Sequence, residues 1–118
     1  AFEMARAAKR LIISAEEIVD TEVIRRRPDR TTIPYYLVDA VVEAPFGSHP
    51  GEMCYRYARD EEQIRRWVEA SKDPATTAEF LKTYVADVPD HRMYLARLGE
   101  ERLQRLRDPA ARHVGRPE

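Results

Sequence analysis

The sequence predicts an α/β fold: part of an open sheet whose strands are covered by helices, with amphipathic helices toward the C-terminal end. Two observations carry that reading. Apolar and β-branched runs at Leu11 to Ile13 and Tyr36 to Ala44 have the length of strands, and a helical pattern precedes each. Beyond residue 60 the spacing becomes that of helices, broken at Pro74 and Pro89.

Taken in order, AFEMARAAKR has Phe2, Ala5 and Ala8 at three-residue spacing and no breaker, so a helix is under way and the chain is expected to start mid-domain. Leu11 to Ile13 is a short continuous apolar run, suited to a buried strand. Ser14 and Glu17 have capping-box spacing, which predicts a short helix over Glu16 to Val19. Asp20 or Thr21 caps a second, Glu22 to Arg27, which stops before Pro28 because the residue preceding proline is pushed away from α geometry. A linker to Pro34 leads into the strand Tyr36 to Ala44, where Val38, Val41 and Val42 favour extension. Two strands alone are marginal in water and call for further neighbours.

Asp60 with Gln63 reads as the cap of a helix that presents Ile64, Trp67, Val68 and Ser71 on one face. Asp73-Pro74 ends it, and Thr76 or Thr77 starts a helix carrying Phe80, Leu81, Tyr84 and Val85. After Pro89-Asp90 one last helix is expected from His91 to Arg107, with Tyr94, Leu95, Leu98, Arg102 and Leu106 as an apolar stripe edged by arginine stems. Gly99 lies inside that span, at a cost of about 1 kcal/mol relative to alanine. Residues 1–107 are expected to form one domain portion and 108–118 a flexible tail.

At 118 residues the chain has the size of about one domain. Its 20 basic and 21 acidic side chains leave a net charge of -1, which gives no field for nucleic acid or an anionic membrane. No apolar run is long enough to span a bilayer, and the first residues lack signal-peptide order, so the expected location is cytoplasmic. The single Cys54 can form no internal disulfide and is expected to be small and partly buried. The Arg25-Arg26-Arg27 run with Arg30 has the chemistry to bind phosphate but stands among Asp20, Glu22 and Asp29, which favours local ion pairing over a nucleic-acid footprint.

Chemistry concentrates in Pro45-Phe46-Gly47-Ser48-His49-Pro50, where two prolines end the strand and Gly47 is free to take a positive φ. His49 either locks this turn or contacts a ligand, and both readings stay open. His91 reads as a surface or capping residue, and His113 lies in the tail. No metal is expected, because His49, His91, His113 and Cys54 share no ligand spacing. The pairs Glu16-Glu17 and Glu61-Glu62 read as structural first-turn acids. No phosphate loop and no nucleophile elbow are present.

RLIISAEEIVDTEVIRRRP, TTIPYYLVDAVVEAPFGSHPGEMC and YLARLG, in that order, resemble the C-terminal part of the alpha subunit of class I CoA-transferases, most closely the glutaconate CoA-transferase type. The likeness runs from Ala5 to Gly99 and is most specific in AEEIVD and VDAVVEAPFGSHP. Tyr35 stands where a smaller residue is common, and Ser48 where alanine is frequent. The resemblance implies an open α/β sheet domain shared between two related subunits, and a covalent mechanism in which a glutamate attacks the acyl-CoA thioester. That glutamate belongs to the beta subunit, so no catalytic residue is expected in this chain. Phe46, Gly47, Ser48, His49 and Pro50 are the expected substrate-binding residues, with their amides and His49 orienting a carboxylate or thioester oxygen. The implied partners are a beta subunit, the remainder of the alpha subunit and an acyl-CoA substrate, in a hetero-oligomer without a cofactor. The chain alone is expected to be inactive. Two other readings remain: an acyl-CoA ring-opening hydrolase subunit of the same fold, and a noncatalytic protein-interaction module.

Overall fold

The computed structural model describes residues 2–108, so His113 and the proposed tail beyond Asp108 lie outside the described residues. The chain divides into two compact units, one up to Gly47 and one from Ser48 onward.

The first unit is built on two parallel strands, β1 (Ile12–Ala15) and β2 (Ala40–Glu43), with Ile12 opposite Ala40 and Ala15 opposite Glu43. Helix α1 (Phe2–Ala7) precedes β1, and α2 (Thr21–Arg25) lies in the crossover. Asp39 fixes the register at the entry, where its carboxylate accepts from Leu11 N at 2.8 Å and pairs with Arg10 at 3.1 Å. At the exit Ile18 N donates to Glu43 Oε1 at 3.3 Å. The α/β class is as expected. Val41 and Val42 of β2 are each 52% exposed, so within this unit the strand has apolar side chains uncovered on both faces.

Several local expectations are corrected. No helix forms over Glu16 to Val19, because Ser14 is inside β1 and Glu16 has another task. Its Oε2 accepts from Phe46 N at 2.8 Å and its Oε1 from Gly47 N at 3.2 Å, a carboxylate spread over two successive amides. The stretch predicted as one strand from Tyr36 starts instead with a 3₁₀ turn, Tyr35–Leu37, and pairs only at Ala40. Pro45 and Phe46 then form a turn closed by Gly47 N to Ala44 O at 2.8 Å. Its positive φ, 58°, falls on Phe46 rather than on Gly47. A left-handed non-glycine residue is unfavourable by roughly 1–2 kcal/mol, and the Glu16 clasp offsets it. Gly47 is needed for closeness, since a Cβ there would meet Ala44 O at 2.8 Å.

The second unit is helical: α3 (Glu61–Ala70), α4 (Pro74–Leu81) running into a π turn (Lys82–Ala86), α5 (His91–Leu98) and α6 (Glu100–Arg107). The starts of α3, α4 and α5 follow one chemistry, an aspartate before the first turn. Asp60 accepts from Gln63 N, Asp73 from Ala75 N and Thr76 N, and Asp90 from Met93 N. The cap of α4 is therefore Asp73, while the expected starters Thr76 and Thr77 donate their hydroxyls to Ala70 O and Asp73 O. The π turn closes through Asp87 N to Lys82 O at 2.9 Å. Tyr57, Ala58, Leu98 and Leu103 form the apolar core, joined by two polar residues, Asp60 and Gln63. Cys54 is exposed, not partly buried, in a tight turn closed by the Met53 and Tyr57 backbones.

The helix expected from His91 to Arg107 is two helices. Gly99 has φ 88° and ψ 141°, a conformation close to a region that side chains essentially exclude. The chain turns there, which sets α6 and its Arg102 in a direction that a continuous helix would not give. Gly99→Ala is therefore expected to destabilise the protein by about 1–3 kcal/mol, although nothing stands within 4 Å of the added methyl position. Urea denaturation checks this, and an unchanged midpoint would contradict it.

Candidate functional site

The second unit holds one buried polar cluster, centred on the Asp60 carboxylate. Asp60 is 3% exposed and caps α3, so its first bond is local: Gln63 N to Oδ1 at 2.9 Å. Arg102, from α6, grips both oxygens, with Nη2 to Oδ1 at 2.9 Å and Nε to Oδ2 at 2.7 Å. His49 Nε2 lies 2.9 Å from Oδ2. Four donors thus meet the roughly four lone-pair positions of a carboxylate, and none is left for a ligand.

His49 is likewise fully used. Its side chain has no exposed surface, and its Nδ1 lies 2.6 Å from the Tyr94 hydroxyl on α5. The charges assign the protons. Burial by itself would raise the Asp60 pKa, but the bonds from Arg102, Gln63 N and His49 prevail and hold it at about 2. An ionised Asp60 requires a proton on His49 Nε2. Burial lowers the His49 pKa against the pull of Asp60, with Arg102 adding to the decrease, so the ring is neutral and Nδ1 is an acceptor. Tyr94 then donates to Nδ1, and burial, followed by the nearby Asp60 charge, raises its own pKa. The chain Tyr94 O–H to His49 to Asp60 to Arg102 is complete in one direction.

The backbone around His49 is held as firmly. Ser48 N donates to the buried Tyr57 hydroxyl at 3.0 Å, and Gly51 N to Ser48 O at 2.7 Å. Asp60 N donates to Pro50 O at 2.9 Å, and the His49-Pro50 peptide is cis. Ala58 N reaches Leu106 O at 2.8 Å, tying the end of α6 to the same stretch.

No family model matches the chain. An uncharacterized protein of Archaeoglobus fulgidus is 49% identical over 107 residues, 90% of this chain and 24% of its own length. The alpha subunit of glutaconate CoA-transferase from Acidaminococcus fermentans is 40% identical over 105 residues, 89% of this chain and 33% of its own length. The crystal structure of that glutaconate coenzyme A-transferase aligns with a TM-score of 0.88 and 38% identity, over 95% of this chain and 36% of that one. The chain is a homologue of the glutaconate CoA-transferase alpha subunit. It spans about a third of that subunit's length. A cholesterol ring-cleaving hydrolase IpdA subunit of Mycobacterium tuberculosis is also similar, at 35% identity over 82 residues, 68% of this chain and 28% of its own length.

In this alpha-subunit homologue the five residues expected to bind substrate fall on both sides of the unit boundary. Phe46 and Gly47 close the first unit with their amides held by Glu16. Ser48, His49 and Pro50 open the second, with His49 in the Asp60 cluster. The amides of Phe46, Gly47 and Ser48 all have acceptors within their own units. Glu61 and Glu62 stand in the first turn of α3, as read, and Glu16 does not belong to a helix. His91 is exposed and stacks on Tyr94 at 6.2 Å between ring centres. Among the described residues no group of three or more His, Cys, Asp or Glu side chains is placed to hold a metal ion.

Sequence reasoning found Asp60 as a cap and missed it as a hub. The signal was Arg102 within an otherwise apolar stripe: an arginine at a core-facing position demands a buried carboxylate.

Asp60→Asn leaves the Arg102 charge without its counterpart, and Arg102→Met does the reverse. Each is expected to cost about 3–5 kcal/mol, and the double variant less than the sum, as read from a double-mutant cycle in urea. Stability should also depend on pH. Unfolded histidine takes up a proton below about 6.5 that folded His49 refuses, so stability falls as the pH drops through that value. A second loss, on the order of 2 kcal/mol, comes as the pH falls from 3.8 toward the folded Asp60 value of about 2. Additive single-variant costs, or stability flat from pH 7.5 to 3, would contradict the cluster.

Proposed function

We propose that this chain is the C-terminal part of the alpha subunit of an acyl-CoA:carboxylate CoA-transferase. The observation that carries the reading is the 40% identity to the glutaconate CoA-transferase alpha subunit over 89% of the chain, in the same fold. The nucleophilic glutamate lies in the beta subunit, and this chain contributes to the subunit interface and the surroundings of the active site. The partner glutamate attacks the thioester carbonyl and expels CoA thiolate, leaving an acyl-glutamyl anhydride. The thiolate then attacks the glutamyl carbonyl and releases the acyl group as a carboxylate. The acceptor carboxylate completes the exchange through the same steps in reverse, so the thioester bond is conserved and no water is consumed.

The residues of this chain act by position. Glu43 is bound to Ile18 N at the end of β2, which fits a structural role. Ser48, His49 and Pro50 are held from below by Tyr57, Tyr94 and Asp60, and Phe46 and Gly47 by Glu16, so each turn offers a fixed surface near the acyl group. His49 is a positioning residue in this reading, since both ring nitrogens are engaged within the protein. The partners are a beta subunit and the remainder of the alpha subunit, and the uncovered faces of β2 suit the latter. Among the described residues no helix is long and apolar enough to cross a membrane.

A second reading keeps the fold and changes the reaction to hydrolysis of a cyclic acyl-CoA. The 35% identity to the ring-cleaving hydrolase subunit favours it, over a smaller share of the chain.

The test is capture of the partner chain, followed by an acyl-CoA exchange assay. The complete assembly is expected to move CoA from an acyl-CoA to a free carboxylate, while the purified 118-residue chain turns over none. Opening of the ring of a cyclic acyl-CoA by water, with the thioester retained and no CoA exchange, would replace the first reading by the second. Turnover by the chain alone would contradict both.

A further inference from the structure

The second unit carries an apolar pocket that borders the Asp60 cluster at Gln63 and Tyr94. Trp67 of α3 and Phe80 of α4 form its wall with ring centres 5.2 Å apart, and Tyr84 continues the row at 4.7 Å from Phe80. Tyr94 closes another side, and the space measures about 330 Å³. None of its lining residues is charged. One of them is Gln63, a side chain only 2% exposed whose Oε1 is buried without a hydrogen-bond partner.

These facts define the occupant's chemistry. A buried amide oxygen left alone costs about 1–3 kcal/mol, so the occupant brings an N–H or O–H donor. The uncharged walls exclude a phosphate or carboxylate, which would lose its hydration without compensation. The acyl-CoA head group and the acceptor of the proposed reaction are thereby poor fits. The apolar surface also extends past the pocket: Leu81 and Val85 at its edge are 44% and 61% exposed, and Val68 on α3 is 52% exposed. A small molecule in the pocket would leave that surface wet, whereas a polypeptide segment lying across it would cover both. The alpha subunit of glutaconate CoA-transferase has about two thirds of its length beyond the 33% matched here. A peptide segment also has its own need, because any backbone N–H buried with it must find an acceptor.

We propose that this pocket seats an apolar side chain from the part of the alpha subunit outside this chain, and that an N–H of the same segment donates to Gln63 Oε1. The inference rests on the subunit reading above. It assigns Gln63 as the polar contact of an intrasubunit seam whose apolar anchors are Trp67, Phe80 and Tyr84.

The experiment uses the complete assembly, with Val85 replaced by the photoreactive residue p-benzoylphenylalanine. Irradiation followed by peptide mass spectrometry should give a crosslink to an alpha-subunit peptide outside this chain. Crosslinks confined to residues of this chain, to a different polypeptide, or to a small molecule would overturn the proposal. In the same assembly Gln63→Met, which keeps the side-chain length and removes the acceptor, should lower the melting temperature by a few degrees. A raised or unchanged value would overturn the donor assignment. The CoA-exchange assay separates this inference from the functional reading. An assembly that transfers CoA without the crosslink sinks the seam alone, and one that crosslinks without transferring CoA sinks the activity alone.

Discussion

One carboxylate organises the second unit. Asp60 accepts from the start of its own helix, from an arginine 42 positions later and from a histidine 11 positions earlier. The bonds from Arg102 and His49 join parts of the chain that apolar packing alone would hold loosely, because the core contains few large side chains. The pattern is directional: an aspartate that is ionised at neutral pH fixes the histidine tautomer, and the tautomer fixes the tyrosine hydroxyl. Removing one partner of such a buried pair leaves the other charge uncompensated.

The first unit uses the same device at smaller scale. Glu16 spans the amides of Phe46 and Gly47 just where the chain leaves β2 and Phe46 takes a left-handed conformation. Carboxylates, Glu16 before the boundary and Asp60 after it, thus hold the two ends of the Pro45 to Pro50 stretch. The amides of Phe46 and Gly47 are spent within the first unit, and the amide of Ser48 and both ring nitrogens of His49 within the second.

Much of this was readable where the controlling interaction is local. Asp60 with Gln63, the stop at Pro74 and the restart at Asp90 follow from spacing and backbone chemistry, and the structure keeps them. The α/β class also followed from run lengths, and the family resemblance from AEEIVD and VDAVVEAPFGSHP. What failed was decided at a distance. Ser14 and Glu17 have capping-box spacing, but β1 continues through Ala15 because it pairs with β2, and Glu16 is drawn to amides 30 positions away. Gly99 looked like a tolerated helix interior and is a corner. Arg102 looked like a stem on an apolar stripe and is the counter-charge of the core.

The central claim is that His49 is a neutral link, with Nε2 donating to an ionised Asp60 and Nδ1 accepting from Tyr94. Nitrogen-15 NMR of the histidine rings between pH 5.5 and 7.5 tests it most directly. The account predicts that the neutral His49 ring carries its proton on Nε2 and takes up a second only at a pH below the ordinary histidine value, and that Tyr94→Phe shifts the Nδ1 resonance without moving the Nε2 proton. A His49 ring that takes up a proton near pH 6.5, or one carrying its proton on Nδ1, would contradict it.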